Sequence, residues 1–571
     1  MKTGSANVSP RAAVWLGAFL FVSLAIGVVG GWPGLRARVG GDATHARDEA
    51  GAGVESMRAM PTMPSMPGAA PNTAGGDELV ADTHLERLAV GDERPRAVDP
   101  ALERRVELLV ADAVRTADAA SKGAANASNC AVSVRVVDLS DGAVVLERQP
   151  RLALAPASNM KLVTSLAALI GLGPDWAFET RVDAVGRLAN GRLDGDLVVR
   201  AGGDPIFRDE DPDHARRRLA ELAAEVTESG VRSVFGDLVL DLGAFADAGP
   251  APGWPRPDGD WTSSYALAPG LNANAGLIGY EVRPTAVGRN AESRFAPVPT
   301  GLDESLGVQT VSKAINDVRV GLYESTGKLK LTGSVGASLP TITGSFRHPD
   351  PVQHFGALFA HELARAGVTF TGGVRRQRDA PAGVEVARLA TPWTDYLVPI
   401  NTHSNNGVAD AVLIALGRER YGVGDRASGA RRVREILETL GADTERFVQV
   451  GGSGLSRDNR ITTEILTELL ARVAVGDDAL RRPFVESLAV AGETGTLEQR
   501  MRGTAAQGRV HAKTGFIQGA SALGGYAATL EGRQLAFSII VSYPRLGGLN
   551  SSAWKPMHDA IAVALVEWVR P

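Results

Sequence analysis

The sequence predicts an α+β fold: one antiparallel sheet, assembled from strands near both ends of the chain and flanked by helices, with a β-rich insertion between the ends. Three observations predict it. Strand patterns open the folded region at 131–137 and 144–147 and close it at 508–514, 520–529 and 535–543. Helical apolar spacing stands outside both sets, at 101–120 and 555–569. Between them, 183–385 changes texture to short alternating runs rich in Gly and Pro, which reads as one or more inserted β-rich domains.

Taken in order, the first element is a charge-free stretch from Ala12 to Val29, preceded by Lys2 and Arg11 and followed by Gly30, Gly31, Trp32 and Pro33. It is near the lower length for spanning a bilayer and long for the core of a cleaved signal. Residues 12–32 are therefore expected to be a signal-anchor or a signal peptide, with 1–11 as a cytoplasmic N-terminus. Residues 33–97, rich in Gly, Ala, Pro, Asp and Arg without an apolar period, are expected to form a disordered linker. Within it Met57, Met60, Met63 and Met66 alternate with Pro61, Pro64 and Pro67; the run reads as an extended spacer rather than a copper site. Leu102, Val106, Leu109, Val110 and Val114 mark the first helix of the body, and Asp141-Gly142 the turn of the first hairpin. The body is read as one domain, 98–182 plus 386–571, interrupted by 183–385.

Composition narrows the chemistry. The 571 residues are 44% hydrophobic and 22% charged, with a formal charge of −5 and no basic run, so nucleic acid is not an expected partner. Cys130 is the single cysteine, which excludes an internal disulfide and a cysteine-based zinc site. His361-Glu362 lacks a second histidine four residues on, so the zincin helix is missing. Neither a metal nor a cofactor is expected.

Ser158 and Lys161 lie three residues apart at the start of the apolar run LVTSLAALIGL, hence on one helix face. A serine hydroxyl is a weak nucleophile, and a neutral lysine amine within reach can take its proton. That lysine must lose its usual charge through burial or a neighbouring cation. The spacing alone is weak: Ser325/Lys328 and Ser552/Lys555 share it without opening a long apolar helix. Two later elements give it meaning. Ser404 and Asn406 precede a helical stretch, supplying a hydroxyl able to relay a proton and an amide able to hold substrate. Lys513, Thr514 and Gly515 end a strand, giving a cation, a hydroxyl and an open approach for a substrate with a free carboxylate. Lys2-Thr3-Gly4 also fits the last pattern, but in the wrong order and without a strand.

Ser-x-x-Lys, Ser-x-Asn and Lys-Thr-Gly in this order resemble the penicillin-recognising serine enzymes, the penicillin-binding proteins and serine β-lactamases. PASNMKLVTS, NTHSNNGVAD, GGSGLSRDNRIT, GETGTLEQR and VHAKTG, with RAGGDP, APGWP and LNANAGLIGYEVRP in the insertion, are similar to blocks of the class C D-alanyl-D-alanine carboxypeptidase/endopeptidase family. The resemblance runs from about residue 98 to the end. It implies a β-lactamase/transpeptidase-like domain and acylation of Ser158 by peptidoglycan stem peptides ending in D-Ala-D-Ala. It further implies Lys161 as base, Ser404 or Lys161 returning the proton, and an oxyanion hole from the N–H groups of Ser158 and Phe516. Asn406, Thr514, Gly515 and Phe516 would contact substrate, Lys513 would complete the catalytic set, and β-lactams would trap the serine. Action would lie outside the cytoplasmic membrane, in the periplasm or its equivalent, with 12–32 as the membrane contact. The alternatives are a β-lactamase or esterase of the same fold, or a non-catalytic wall-binding relative. The family usually follows Lys-Thr-Gly with Thr-Leu; Phe516-Ile517 stands here, so a hydroxyl for the substrate carboxylate is lost. Ser453, His403, His511, Glu493, Thr494, Asp204, Trp254 and Cys130 are read as structural.

Overall fold

The computed structural model describes residues 94–571 except 210, 247–248, 255–266 and 324–327. The segment expected to meet the membrane, 12–32, and nearly all of the expected linker lie outside the described residues. Among the described residues no helix is long and apolar enough to cross a membrane. The last residues of the expected linker, 94–97, are not free: the Ala97 N–H donates to the Val144 carbonyl at 2.9 Å, and the Val144 N–H to the Pro95 carbonyl at 2.8 Å. They extend the sheet edge and cover backbone groups that an exposed edge would leave open.

Six strands form the main sheet in the order Ala489–Val490, Val510–Ile517, Ala520–Ala528, Gln534–Ser542, Ala131–Asp138 and Val144–Arg148, each pair antiparallel. The first long strand thus pairs with the last, Ala131 opposite Ser542 and Asp138 opposite Leu535. Alternation at Val132, Val134 and Val136 suggests a half-buried strand, yet nearly every residue of Ala131–Asp138 is buried, because helices cover both faces. Pro100–Ser121 and Lys555–Val566 pack Val106, Val110, Ile561 and Leu565 with those valines on the outer face. On the inner face the strand's polar side chains find partners: Ser133 Oγ lies 2.8 Å from Thr463 Oγ1, and Arg135 donates to Thr467 at 2.7 Å and Glu468 at 2.9 Å. That face also supports the apolar helices Met160–Gly171, Asn406–Tyr421 and Thr463–Val475.

The interrupting segment has its own core around a seven-stranded sheet, with two three-stranded sheets beyond it. It also carries two helices, His214–Glu228 and Pro351–Arg365, so β-rich describes only part of it. Its bordering strands, Ala177–Ala189 and Val384–Pro392, run antiparallel with Ala177 opposite Pro392. Departure and return therefore sit side by side, and the expected boundaries at 182/183 and 385/386 fall inside these strands. Asp204 fastens the two parts. Its buried carboxylate accepts from Thr391 Oγ1 at 2.6 Å, the Ile206 N–H at 2.9 Å and the Tyr396 hydroxyl. Deeper in the insertion, His348 and His354 stack with ring centroids 4.9 Å apart. His348 Nδ1 accepts from the Asp350 N–H at 2.9 Å, and its Nε2 lies 2.9 Å from the Thr300 carbonyl.

Candidate active site

Ser158 sits in a short 3-10 turn, Ala157–Asn159, that runs into the helix Met160–Gly171. Every residue of that helix from Met160 to Ile170 is buried, so burial on all sides fixes the turn at its start. Ala157 has φ 48°, a strained value for a residue with a side chain, and two glycines clamp it. A Cβ on Gly515 would stand 2.7 Å from the Pro156 carbonyl and 3.2 Å from the Ser158 nitrogen; one on Gly454 would stand 1.8 Å from the Ala157 carbonyl. The strand Val510–Ile517 thus lies directly against the backbone of Ser158. Asn159 ties the two together, its amide nitrogen donating to the Lys513 carbonyl at 2.7 Å and its oxygen accepting from the Gly524 N–H at 3.1 Å.

Lys161 is fully buried. Its Nζ lies 3.3 Å from Ser158 Oγ, 2.6 Å from Asn406 Oδ1 and 2.6 Å from the Ser453 carbonyl oxygen. Burial, and then the charge of Lys513, hold Lys161 well below the ordinary lysine range, while Asp410 pulls the other way. Lys513 is also fully buried, which pushes it down to about 7, and it donates to the Thr514 carbonyl at 3.1 Å. Asn406 opens the helix Asn406–Tyr421, whose N-cap Asn405 accepts from the Val408 N–H at 3.0 Å. Ser404 precedes that cap, half-buried, with φ 65°.

Of the residues expected from sequence, Ser158, Lys161 and Asn406 meet directly, Gly515 lies on the Ser158 backbone, and Lys513 faces Lys161 as a like charge. Thr514 Oγ1 donates to Thr496 Oγ1 at 2.9 Å, and Phe516 is 54% exposed at the strand end. His403 has a partner in the insertion, its Nδ1 2.7 Å from Asp209 Oδ2. A cavity of about 520 Å³ opens there, lined by Phe207, Asp209, His214, Tyr396, Pro399 and His403.

Two participants escape sequence reasoning. The Ser453 carbonyl holds Lys161, whereas GGSG suggests only a loop shaping the rim; a backbone acceptor leaves no side-chain signature. Asp410, fully buried, accepts from Arg426 Nε at 2.8 Å and from the Ser453 N–H at 3.0 Å. Its place one turn after Asn406 on the same helix is the signal that finds it.

Residues 115–566 match the sequence profile of the D-Ala-D-Ala carboxypeptidase 3 (S13) family. The chain is 33% identical over 534 residues to a D-alanyl-D-alanine carboxypeptidase of Actinomadura sp. (strain R39), covering 90% of this chain and 91% of the relative. It is 26% identical over 403 residues to the D-alanyl-D-alanine carboxypeptidase DacB of Haemophilus influenzae, covering 69% and 82% respectively. Among solved structures it shares the fold of penicillin binding protein 4 from Haemophilus influenzae, with a TM-score of 0.66 at 23% identity, covering 80% of this chain and 98% of that one.

Proposed function

Because the chain belongs to the D-Ala-D-Ala carboxypeptidase 3 (S13) family, we propose that its serine peptidase chemistry runs through an acyl-enzyme on Ser158 with Lys161 as base. The observation that carries this reading is the set of three polar contacts around one buried amine. A neutral amine has two hydrogens and one lone pair. Ser453 offers a carbonyl and Asn406 an amide oxygen, each at 2.6 Å, and these two take the hydrogens. The lone pair is then left for the Ser158 hydroxyl at 3.3 Å. Burial, reinforced by the charge of Lys513, keeps the amine uncharged, and Lys513 supplies, with Thr514, a cation and hydroxyl for the substrate's terminal carboxylate.

In acylation, Ser158 Oγ bonds to the carbonyl carbon of the penultimate D-Ala while its proton moves to Lys161. The N–H groups of Ser158 and Phe516 receive the oxyanion, an arrangement worth about 10²–10³ in rate per donor. The C–N bond then breaks, and the terminal D-Ala leaves with a proton delivered by Ser404 or Lys161. Water hydrolyses the ester and regenerates Ser158. Cross-bridge peptides follow the same route as endopeptidase substrates, and β-lactams stop at the ester. The substrate places the enzyme outside the cytoplasmic membrane, with residues 12–32 as the membrane contact, 98–182 and 386–571 as the peptidase domain, and 183–385 inserted.

Intact-mass measurement after penicillin treatment tests the reading. Wild type gains one adduct and Ser158→Ala gains none; Lys161→Ala folds but acylates about 10²–10⁴ more slowly. Normal labelling of Ser158→Ala ends the assignment.

A further inference from the structure

Asp410 and Asn406 project from one helix toward the same amine, Asn406 directly and Asp410 through the turn at 450–455. That turn is pinned throughout: the Val450 N–H donates to Asn459 Oδ1 at 2.8 Å, the Gly452 carbonyl accepts from Thr164 Oγ1 at 2.9 Å, and the Ser453 N–H donates to Asp410 at 3.0 Å. Gly454, the next residue, is pressed onto the Ala157 carbonyl with no room for a Cβ. Between these anchors the Ser453 carbonyl is left pointing at Lys161 Nζ. Behind Asp410, Arg426 is itself held, donating to the Gly249 carbonyl at 2.7 Å with its guanidinium 5.4 Å from the Trp254 ring centroid.

We propose that Asp410 is a positioning residue for the reaction: it fixes the Ser453 carbonyl against Lys161 and presents a carboxylate to the ammonium that forms when Lys161 takes the Ser158 proton. The inference rests on Lys161 being the base. Three charged groups then govern that proton: Lys513 from the strand, Asp410 from the helix after Ser404, and Arg426 behind Asp410. The turn contributes only an uncharged carbonyl. Before proton transfer the amine is neutral and gains little from Asp410; after it, a buried cation faces a buried anion. The carboxylate therefore acts where charge develops, so the stabilisation falls on the transition state rather than the ground state.

The test follows the second-order rate constant for acylation of the full-length chain by a fluorescent penicillin, from about pH 4 to about pH 9, spanning the titration of a tuned catalytic base. Asp410→Asn keeps an oxygen for the Ser453 N–H but removes the charge. Its acid limb moves to lower pH by about one unit, and its plateau falls about tenfold as the base weakens. Arg426→Gln unmasks Asp410, and its acid limb moves to higher pH. Opposite displacements support the proposal, since general loosening of the site moves neither limb. Unmoved limbs in both variants, or movement in one direction, overturn it. If Asp410→Asn does not fold, the direction of the Arg426→Gln limb decides alone. Wild-type acylation of Lys161→Ala would instead remove the base assignment itself, a result separable from any limb position in the Asp410 variants.

Discussion

Gly515→Ala isolates the contact between the strand and the nucleophile. Its φ lies outside the left-handed region, so the substitution tests space and not backbone strain. The new Cβ would meet the Pro156 carbonyl at 2.7 Å, the Ala522 Cβ at 3.1 Å and the Ser158 nitrogen at 3.2 Å. Two of these are backbone atoms that no rotamer change can clear. Reaching ordinary contact near 3.4 Å moves the strand from the serine turn by about 0.7 Å, comparable to displacements that cost about 10²-fold in rate. The Ser158 N–H then no longer lines up with the oxyanion. Acylation by a fluorescent penicillin is expected to fall about 10²-fold, or about 2.7 kcal/mol in the barrier. Overpacking costs a further 1–3 kcal/mol of stability, on the order of a few degrees in melting temperature. Gly307→Ala in the insertion, where a Cβ meets nothing within 4 Å, serves as the control. A folded Gly515→Ala protein acylating within about threefold of wild type, well inside the loss expected of such a shift, would refute the reasoning.

Phe516→Thr restores a hydroxyl on the strand face that carries Thr514; KM for a peptide ending in a free D-Ala carboxylate should fall, while stability changes by no more than about 0.5 kcal/mol because the ring is 54% exposed. An unchanged KM would show that Thr514 suffices. The stacked histidines predict acid sensitivity. Burial pushes His348 down to about 4 and His354 down to about 3, with His348 adding repulsion to the latter. The unfolded chain binds these protons near pH 6.5 and the folded one does not, so stability is intact above that pH and declines as pH falls toward 4. Between pH 6.5 and 5 the decline is about 1.6 kcal/mol per histidine. Melting followed against pH should be flatter in His354→Phe, and equal slopes would count against the burial argument.

Much of the site was legible because its chemistry needs particular side chains at fixed helical and strand spacings. Ser158 and Lys161 sit one turn apart whatever the tertiary structure, and Lys513 lies on a strand as its pattern suggests, although that strand runs on to Ile517 rather than ending there. Terminal strands and helices were equally plain, since Val132, Val134 and Val136 alternate and Ile561 and Leu565 recur at helical spacing. Depth of burial was less legible: alternation says which face a residue takes, not that helices cover both faces. The insertion's edges were not legible, because Ala177–Ala189 carries both Phe178, packed against the body, and Val182, packed in the insertion. One strand serves two cores, so no change in composition marks the crossing. The Ser453 carbonyl and the carboxylate behind it belong to folded geometry: any residue has a carbonyl, and only the turn decides where it points.

The pairing of the first long strand with the last has a consequence for biosynthesis. Ser158 is made early, yet the sheet beneath its helix stays open until residues near 542 have emerged, after the whole insertion. Closing so long a loop is slow and comes late. A chain lacking Gln534–Ser542 would have no strand to join Ala520–Ala528 to Ala131–Asp138, so Val510–Ile517 and its lysine would lose the sheet that holds them against Ser158.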